Sequence, residues 1–475
     1  MSAIFPSKAV ERGSRSRGDK AVSSDIVERH PDQLLEAPEK SAFAWMVLLL
    51  FAVNLCFSVA LVRWQIASIP VRSVFAVTCL GLISLYRWGV ILRALSNHRV
   101  KLAVIAVVAL MGLASSTIAR ESPATVFRQI LEIHVQCAIA LVLGAAMVSI
   151  WGVRRIASVF IAVVLASGVV AILQFADFSP AWELRAGLGA IQNDLPTTKL
   201  WYTKHFRALG VSMSPVILAT QLCLAFIAYW ALRMHETGGA ALRQLDIRII
   251  LALAVFAALS IVSGNRSPLL GAVMFAAIYA ATRESKVQLA AVAGALVAGP
   301  MIFLLVTKIG DVGLRVATTN DGSSLGRITL SNYGLRLFMD RPLGYGLGFD
   351  PREHWPAHWE YLQHSPNLQA IRHYGLHNFF LNSLNKYGAP VIFVAIFVAA
   401  AMLRRWRLFL PFVIYMVHIY FHNDGPLQSD ILIWYVLALF PLAELKTSHE
   451  KNLSAAPVPG HRRRVIQAVG TAPLT

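Results

Sequence analysis

Three polar residues stand at the edges of long apolar runs: Arg207 in HFRALGVSMSP, Arg266 in SGNRSPL and His377 in LHNFFLNSLNKYGAP. An arginine at membrane depth costs about 2.5–3.5 kcal/mol on insertion scales, so a carboxylate, a wet cavity or an anionic ligand must compensate it. Two guanidinium forks on one side of a membrane suit a diphosphate, because each can donate two parallel hydrogen bonds. A histidine titrates near neutral pH and can take the proton of an attacking hydroxyl. A plainer role competes at each position: arginines snorkel to lipid headgroups, and an interfacial histidine bonds to backbone.

Further polar groups carry weaker signals. His354 and His358 are spaced i, i+4 and are followed by His364 and His373, which invites a zinc reading. Pro356 between the first pair and the loop-forming composition argue against it, and no metal is expected. His418, His422 and Asp424 cluster at the end of another apolar run. Asp424 reads either as an orienting, charge-balancing group or as an ordinary loop carboxylate. Arg185 and Lys204 add positive field to a polar stretch. The four cysteines all lie in apolar runs without a CxxC, and read as small core residues. There is no GxxxxGK[ST] loop, no HExxH and no Asp-x-Asp, which argues against ATP drive and against a metal-held nucleotide-sugar donor. GYGLG at 344–348 follows no strand, so a dinucleotide loop is not implied.

The elements that must position these residues follow from composition. The chain has 475 residues, 56% hydrophobic and only 14% charged, where soluble domains carry roughly 25% charged residues. Such a chain can bury its apolar surface only in lipid, which excludes a soluble enzyme, a coiled coil and a disordered scaffold. The net charge of +18 does not imply nucleic acid. Seven of the 43 Lys and Arg lie in residues 1–42, five lie after 445, and most others punctuate apolar runs.

Apolar runs near the 20-residue bilayer length predict twelve helices, at 43–62, 74–94, 101–118, 134–151, 155–175, 209–232, 247–264, 267–282, 287–306, 378–401, 407–421 and 429–445. With the N-terminus in the cytoplasm, every short inner loop carries at least two basic residues: Arg93, Arg99 and Lys101; Arg154 and Arg155; Arg233, Arg243 and Arg248; Arg283 and Lys286; Arg404, Arg405 and Arg407. Both termini are then cytoplasmic: a disordered tail at 1–42, with no cleavable signal peptide before residue 43, and a basic tail at 446–475. Two long segments fall outside, at 176–208 and 307–377. Within the second, residues 325–339 predict a short amphipathic helix with Ile328, Leu335 and Phe338 near helical spacing, ended by Pro342 and GYGLG. The expected fold is an all-α polytopic membrane protein of about twelve spans, residues 43–306 and 378–445, with a large external loop domain.

Several segments together resemble the O-antigen ligase and O-antigen polymerase superfamily of bacterial membrane proteins, over roughly residues 200–400. RALG followed by SPVILA at 207–219 is similar to that family's arginine-glycine approach to a helix, and SGNRSPLLGA at 263–272 to its outer-turn arginine motif. GRITLSNYGLRLFMDRPLGYGLG at 326–348 resembles its periplasmic helix and bend, and LHNFFLNSLNKYG at 376–388 its His-Asn helix start. The resemblance implies a GT-C-like glycosyltransferase facing the periplasm from the bacterial inner membrane, with no cofactor. The donor would be a glycan on undecaprenyl diphosphate; the acceptor would be lipid A–core for a ligase, or the next lipid-linked repeat for a polymerase. Carried onto this chain, the essential arginines fall on Arg207 and Arg266 and the essential histidine on His377. Arg327, Arg185, Asn378 and Asp424 are weaker candidates for holding diphosphate or glycan.

A competing class is a transporter, a flippase for lipid-linked glycan or an ion-coupled exporter. It would place its critical polar residues near the bilayer midplane and in both halves. Here the candidates gather at the outer face beside the largest loop, which favours chemistry.

Overall fold

The structure, a computed structural model, describes residues 41–60, 65–66, 69–188, 199, 202–203, 207–238, 246–282, 322–365, 367–422, 425–428 and 430–440. The expected terminal tails, the span at 287–306 and Asp424 lie outside the described residues.

Lipid offers a backbone no partners, so the apolar runs form helices that satisfy their own N–H and C=O groups. The first three are α1 (Ala42–Ala60), α2 (Val71–Asn97) and α3 (Arg99–Ala119). The only sheet among the described residues pairs Gln65 with Pro70 and Ile66 with Ile69, antiparallel, between α1 and α2. A run of 53 residues, Pro123–Phe175, follows. It comprises α4 (Pro123–Gln129), a π-helical turn (Ile130–Val135) and α5 (Gln136–Phe175). At 1.5 Å per residue it would be about 80 Å long if straight, far more than a bilayer. Gly152, at φ +76°, divides it between the two spans expected there.

After α6 (Ser179–Gly187) comes α7 (Pro215–Glu236), started by the Ser214 hydroxyl, which accepts from Ile217 N. Its most apolar stretch is 83% buried, so α7 lies inside the bundle rather than at its rim. Then follow α8 (Ile247–Val262) and α9 (Ser267–Ala281). Among the described residues, five helices are long and apolar enough to cross a membrane, and three shorter ones are apolar. The main core runs from Phe51 and Leu55 of α1 through Leu141 and Leu143 of α5 to Trp230 of α7 and Phe275 of α9.

The last third departs from simple spans. The run expected at 378–401 is two helices, α13 (Phe379–Tyr387) and α14 (Val391–Arg404), parted at Gly388 with φ +76° and followed by Pro390. Likewise 407–421 is α15 (Trp406–Phe409) and α16 (Phe412–Tyr420), parted at Pro411. Each proline removes one helical donor. The last described helix is α17 (Leu432–Ala438).

The segment from residue 322 to 376 forms its own small core. Helix α10 (Gly322–Asp340) packs on α11 (Trp359–Leu362) and α12 (Leu368–His373). The helix is where the sequence puts it, but its inward face differs. Leu330, Tyr333 and Leu337 are buried against Leu362, Ala370, Ile371 and Leu376. Ile328 and Leu335, expected inward, are 53% and 47% exposed. Both sets satisfy helical spacing, and only α12 and Leu376 decide which one is covered.

Candidate functional site

One end of the bundle gathers the chain ends of seven helices. Residues 207–214 lead into α7, and their backbone is held by buried side chains. Oε1 of Gln174, near the end of α5, accepts from Leu209 N at 3.1 Å and Gly210 N at 2.8 Å. Its Nε2 donates to Gly210 O at 2.8 Å and Ala181 O at 3.2 Å. Ser167 Oγ accepts from Val211 N at 3.1 Å. Arg185 is fully buried, and its Nε donates to Ser212 O. Gly210 has φ +60°, and a Cβ there would meet Ser167 O at 2.4 Å. This network fixes where Arg207 emerges, half-buried, from the loop.

The second arginine lies on the turn between α8 and α9, and the two loops are tied together. Ala208 N donates to Val262 O at 3.1 Å. Arg207 Nη2 donates to Asn265 Oδ1 at 3.3 Å, and Asn265 Nδ2 donates to Pro215 O at 2.8 Å. Arg266 is the next residue, at the N-cap position of α9. Arg185 joins the same group, since the Tyr202 hydroxyl feels both Arg207 and Arg185. Burial raises that phenol above its ordinary range, and the two guanidinium charges oppose the rise.

On the far side of Arg266, Ser267 Oγ contacts His418 Nδ1 at 2.9 Å and His422 Nε2 at 3.3 Å. His377 lies at the start of α13, its ring edge-on to His422 at 6.5 Å between centroids and 5.6 Å from Tyr374. His422 is held below the usual imidazole range by burial first, then by His418, Arg327, His377 and Arg207. Arg207, Arg327 and His377 thus all act electrostatically on one histidine, and Asn265 and Ser267 flank Arg266 in sequence. Asn378 is buried, and its Oδ1 accepts from Leu381 N as the cap of α13, so that oxygen is committed to the helix.

The long loop docks onto the ends of α3 and α13 through GYGLG. Tyr345 N donates to Asn385 O at 2.7 Å and Gly346 N to Lys386 O at 3.2 Å. Leu347 N donates to Ser116 Oγ at 2.9 Å, and Gly348 N to Glu121 Oε1 at 2.7 Å. Gly346, at φ +97°, lies so close to Glu121 that a Cβ would meet its Cδ at 2.6 Å. The backbone amides that a glycine loop could offer to phosphate are filled here by the chain's own carboxylate and hydroxyl. Arg327 of α10, carried by this loop, acts electrostatically on His422.

Of the other loop histidines, His354 and His358 contact neighbours in the loop, and His364 and His373 are exposed. His354 stands against Tyr345 and Phe349 at 4.6 and 5.8 Å between centroids. His358 Nδ1 is 3.3 Å from Asp340 Oδ2. Among the described residues no three His, Cys, Asp or Glu side chains converge as metal ligands.

With this geometry in view, the comparison with known families is informative. A family model described as O-antigen ligase matches residues 249–396. Residues 249–396 are thus similar to the O-antigen ligase family. This similarity supports the resemblance to the ligase and polymerase superfamily, and it implies glycosyltransferase-like chemistry in a multi-pass membrane protein. The ligase-family segment contains Arg266, Arg327 and His377; the loop of Arg207 and the pair His418–His422 lie outside it. No match was found among curated proteins.

Sequence reading alone missed Gln174, Thr220, Asn265 and Ser267. The available signal was weak: each is a buried amide or hydroxyl within or beside an apolar run, a group that must find a partner.

Proposed function

We propose that this chain transfers a glycan from undecaprenyl diphosphate to a sugar hydroxyl of lipid A–core at the periplasmic face of the inner membrane. The observation that supports the reading is that Arg207, Arg327 and His377 all act on His422, while Arg266 sits between Asn265, which bonds Arg207, and Ser267, which contacts His422. Basic residues at the opposite end support the orientation, with both termini cytoplasmic and about twelve spans. There Arg233 pairs with Asp246 at 2.7 Å, and Arg155 lies over Trp45 and Trp151 at 4.9 and 4.7 Å.

Arg207 and Arg266 hold the diphosphate and stabilise the charge that grows as it leaves. Arg327, from the docked loop, adds positive field. His377 takes the proton of the acceptor hydroxyl while that oxygen bonds to the anomeric carbon. The bond from that carbon to the phosphate oxygen breaks, and undecaprenyl diphosphate departs. Attack in line with the leaving group inverts the anomeric centre. The donor is already activated, so no ATP is consumed, and guanidinium groups supply the charge that a divalent cation supplies elsewhere.

The test is reconstitution in vesicles with purified lipid-linked glycan and separate acceptors. Glycan on lipid A–core is the expected product. Polymer on the lipid carrier alone would make the chain a polymerase. Movement of intact lipid-linked glycan across the bilayer without bond transfer would replace the enzyme reading by a transporter.

A further inference from the structure

Behind His377 lies a buried string of polar side chains with no part in the mechanism above. Thr220 of α7, His418 of α16, Ser267 of α9 and His422 are each buried. They come from three helices and one helix end, so the string also clamps the bundle where the site sits. Thr220 Oγ1 is 3.0 Å from His418 Nε2, and Ser267 bridges His418 Nδ1 and His422 Nε2.

The direction of every hydrogen bond in this string follows from one of them. Thr220 has a single hydroxyl proton, and it goes to Val216 O at 3.1 Å, one turn back on α7. Thr220 Oγ1 must therefore accept from His418, which puts a proton on His418 Nε2. A charge on His418 would be sealed among apolar side chains with no carboxylate bonded to it among the described residues. As a neutral ring it has a bare Nδ1, and Ser267 donates to it. Ser267 Oγ must then accept from His422 Nε2–H. His422, also uncharged, is left with a bare Nδ1, which has no hydrogen-bond partner among the described residues. The groups that face His422 are His418, Arg327, His377 and Arg207, and a proton on His422 would be repelled by the two arginines.

We propose that Thr220, His418, Ser267 and His422 form a hydrogen-bonded chain of fixed direction that presents the Nδ1 lone pair of His422 to His377. His422 is then a positioning residue. The separation of 6.5 Å between ring centroids is one that a single bridging water spans. An N–H of His377 spent on that lone pair leaves its other nitrogen bare, which is the tautomer a proton acceptor needs. A neutral imidazole thus does at His377 what a carboxylate does behind the base of a hydrolase triad, and it adds no negative charge that would repel a diphosphate. This role rests on the glycosyl-transfer reading.

The experiment combines two readouts on the full-length protein in lipid nanodiscs. Nitrogen NMR of ¹⁵N-histidine protein, assigned with His418→Asn and His422→Asn, is expected to show both rings neutral with the proton on Nε2 from pH 6 to 8. Transfer assays compare wild type with Ser267→Ala and Ser267→Thr. Ser267→Ala should lower kcat at least tenfold, leave the donor KM within twofold and lower the apparent pKa of the acid limb, because the imidazolium of His377 loses an acceptor. Ser267→Thr, which keeps the hydroxyl, should restore all three. A His422 ring protonated on Nδ1, or a Ser267→Ala enzyme unchanged in kcat and pH profile, overturns the relay while the transfer reading stands. Wild-type protein inert toward every donor and acceptor overturns the transfer reading and this role with it.

Discussion

Arg207 Nη2 donates to Asn265 Oδ1 at 3.3 Å, so a side chain at the start of one helix is aimed by the turn between two others. The same amide is anchored through Nδ2 to Pro215 O. Asn265→Ala removes the acceptor from a half-buried guanidinium and frees the turn that carries Arg266. Misplacing a binding group by about 1 Å can cost about 10²-fold in rate. We expect a loss of that size in transfer, read by steady-state kinetics in vesicles, together with a melting temperature lowered by a few degrees, since Pro215 O loses its buried donor.

His377→Ala should lower kcat by about 10²–10⁴-fold, the usual range for losing a general base, with donor affinity retained. Arg266→Lys should instead weaken donor binding, because a lysine keeps the charge but loses the fork. Donor KM and kcat measured separately distinguish the two. Near-normal turnover in His377→Ala, with expression controlled, would remove the acid–base role.

Gly210 has no room for a side chain, since its Cβ would lie 2.4 Å from a backbone oxygen of α5. Its φ of +60° adds a penalty of about 1–2 kcal/mol for any L side chain. We expect Gly210→Ala to lower the melting temperature in detergent by several degrees and to cost activity, because the loop that aims Arg207 must move.

Gly346 and Glu121 report on docking of the external loop. Gly346→Ala drives a methyl into the Glu121 carboxylate and should loosen the loop, visible as faster proteolysis within residues 322–373. The clash is with a side chain, so Glu121→Ala in the same molecule should relieve part of it. The two changes should therefore combine non-additively, and simple additivity would show that the loop docks elsewhere.

His354 makes the loop sensitive to acid. Burial chiefly, with Arg341 and His358 adding and Glu353 and Asp350 opposing, lowers its pKa from the ordinary value of 6.5. Below 6.5 the unfolded loop binds a proton that the folded loop refuses, so stability falls as pH drops through that window and levels off below the folded pKa. His354→Phe keeps the ring contact with Tyr345 and Phe349 and should flatten the dependence below pH 6.5. Hydrogen exchange of residues 330–371 against pH is the measurement.

The apolar runs were legible from hydropathy because a bilayer imposes a length that composition alone must meet. The positions of α1, α2, α3, α8 and α9 match the expected spans within a few residues. Arg207, Arg266 and His377 stood out because a polar group at such an edge needs a stated compensation. Other features needed the third dimension. Ile328 and Leu335 fit helical spacing as well as Leu330 and Leu337 do, and only packing against α12 chose between them. Gln174, Asn265 and Ser267 are ordinary polar residues until a neighbour 35 to 155 positions away gives them a hydrogen bond. Length, hydropathy and charge placement are local and additive, so they can be read along the chain. The partner of a buried amide or hydroxyl is set by which helix ends meet, and that is decided only when the bundle closes.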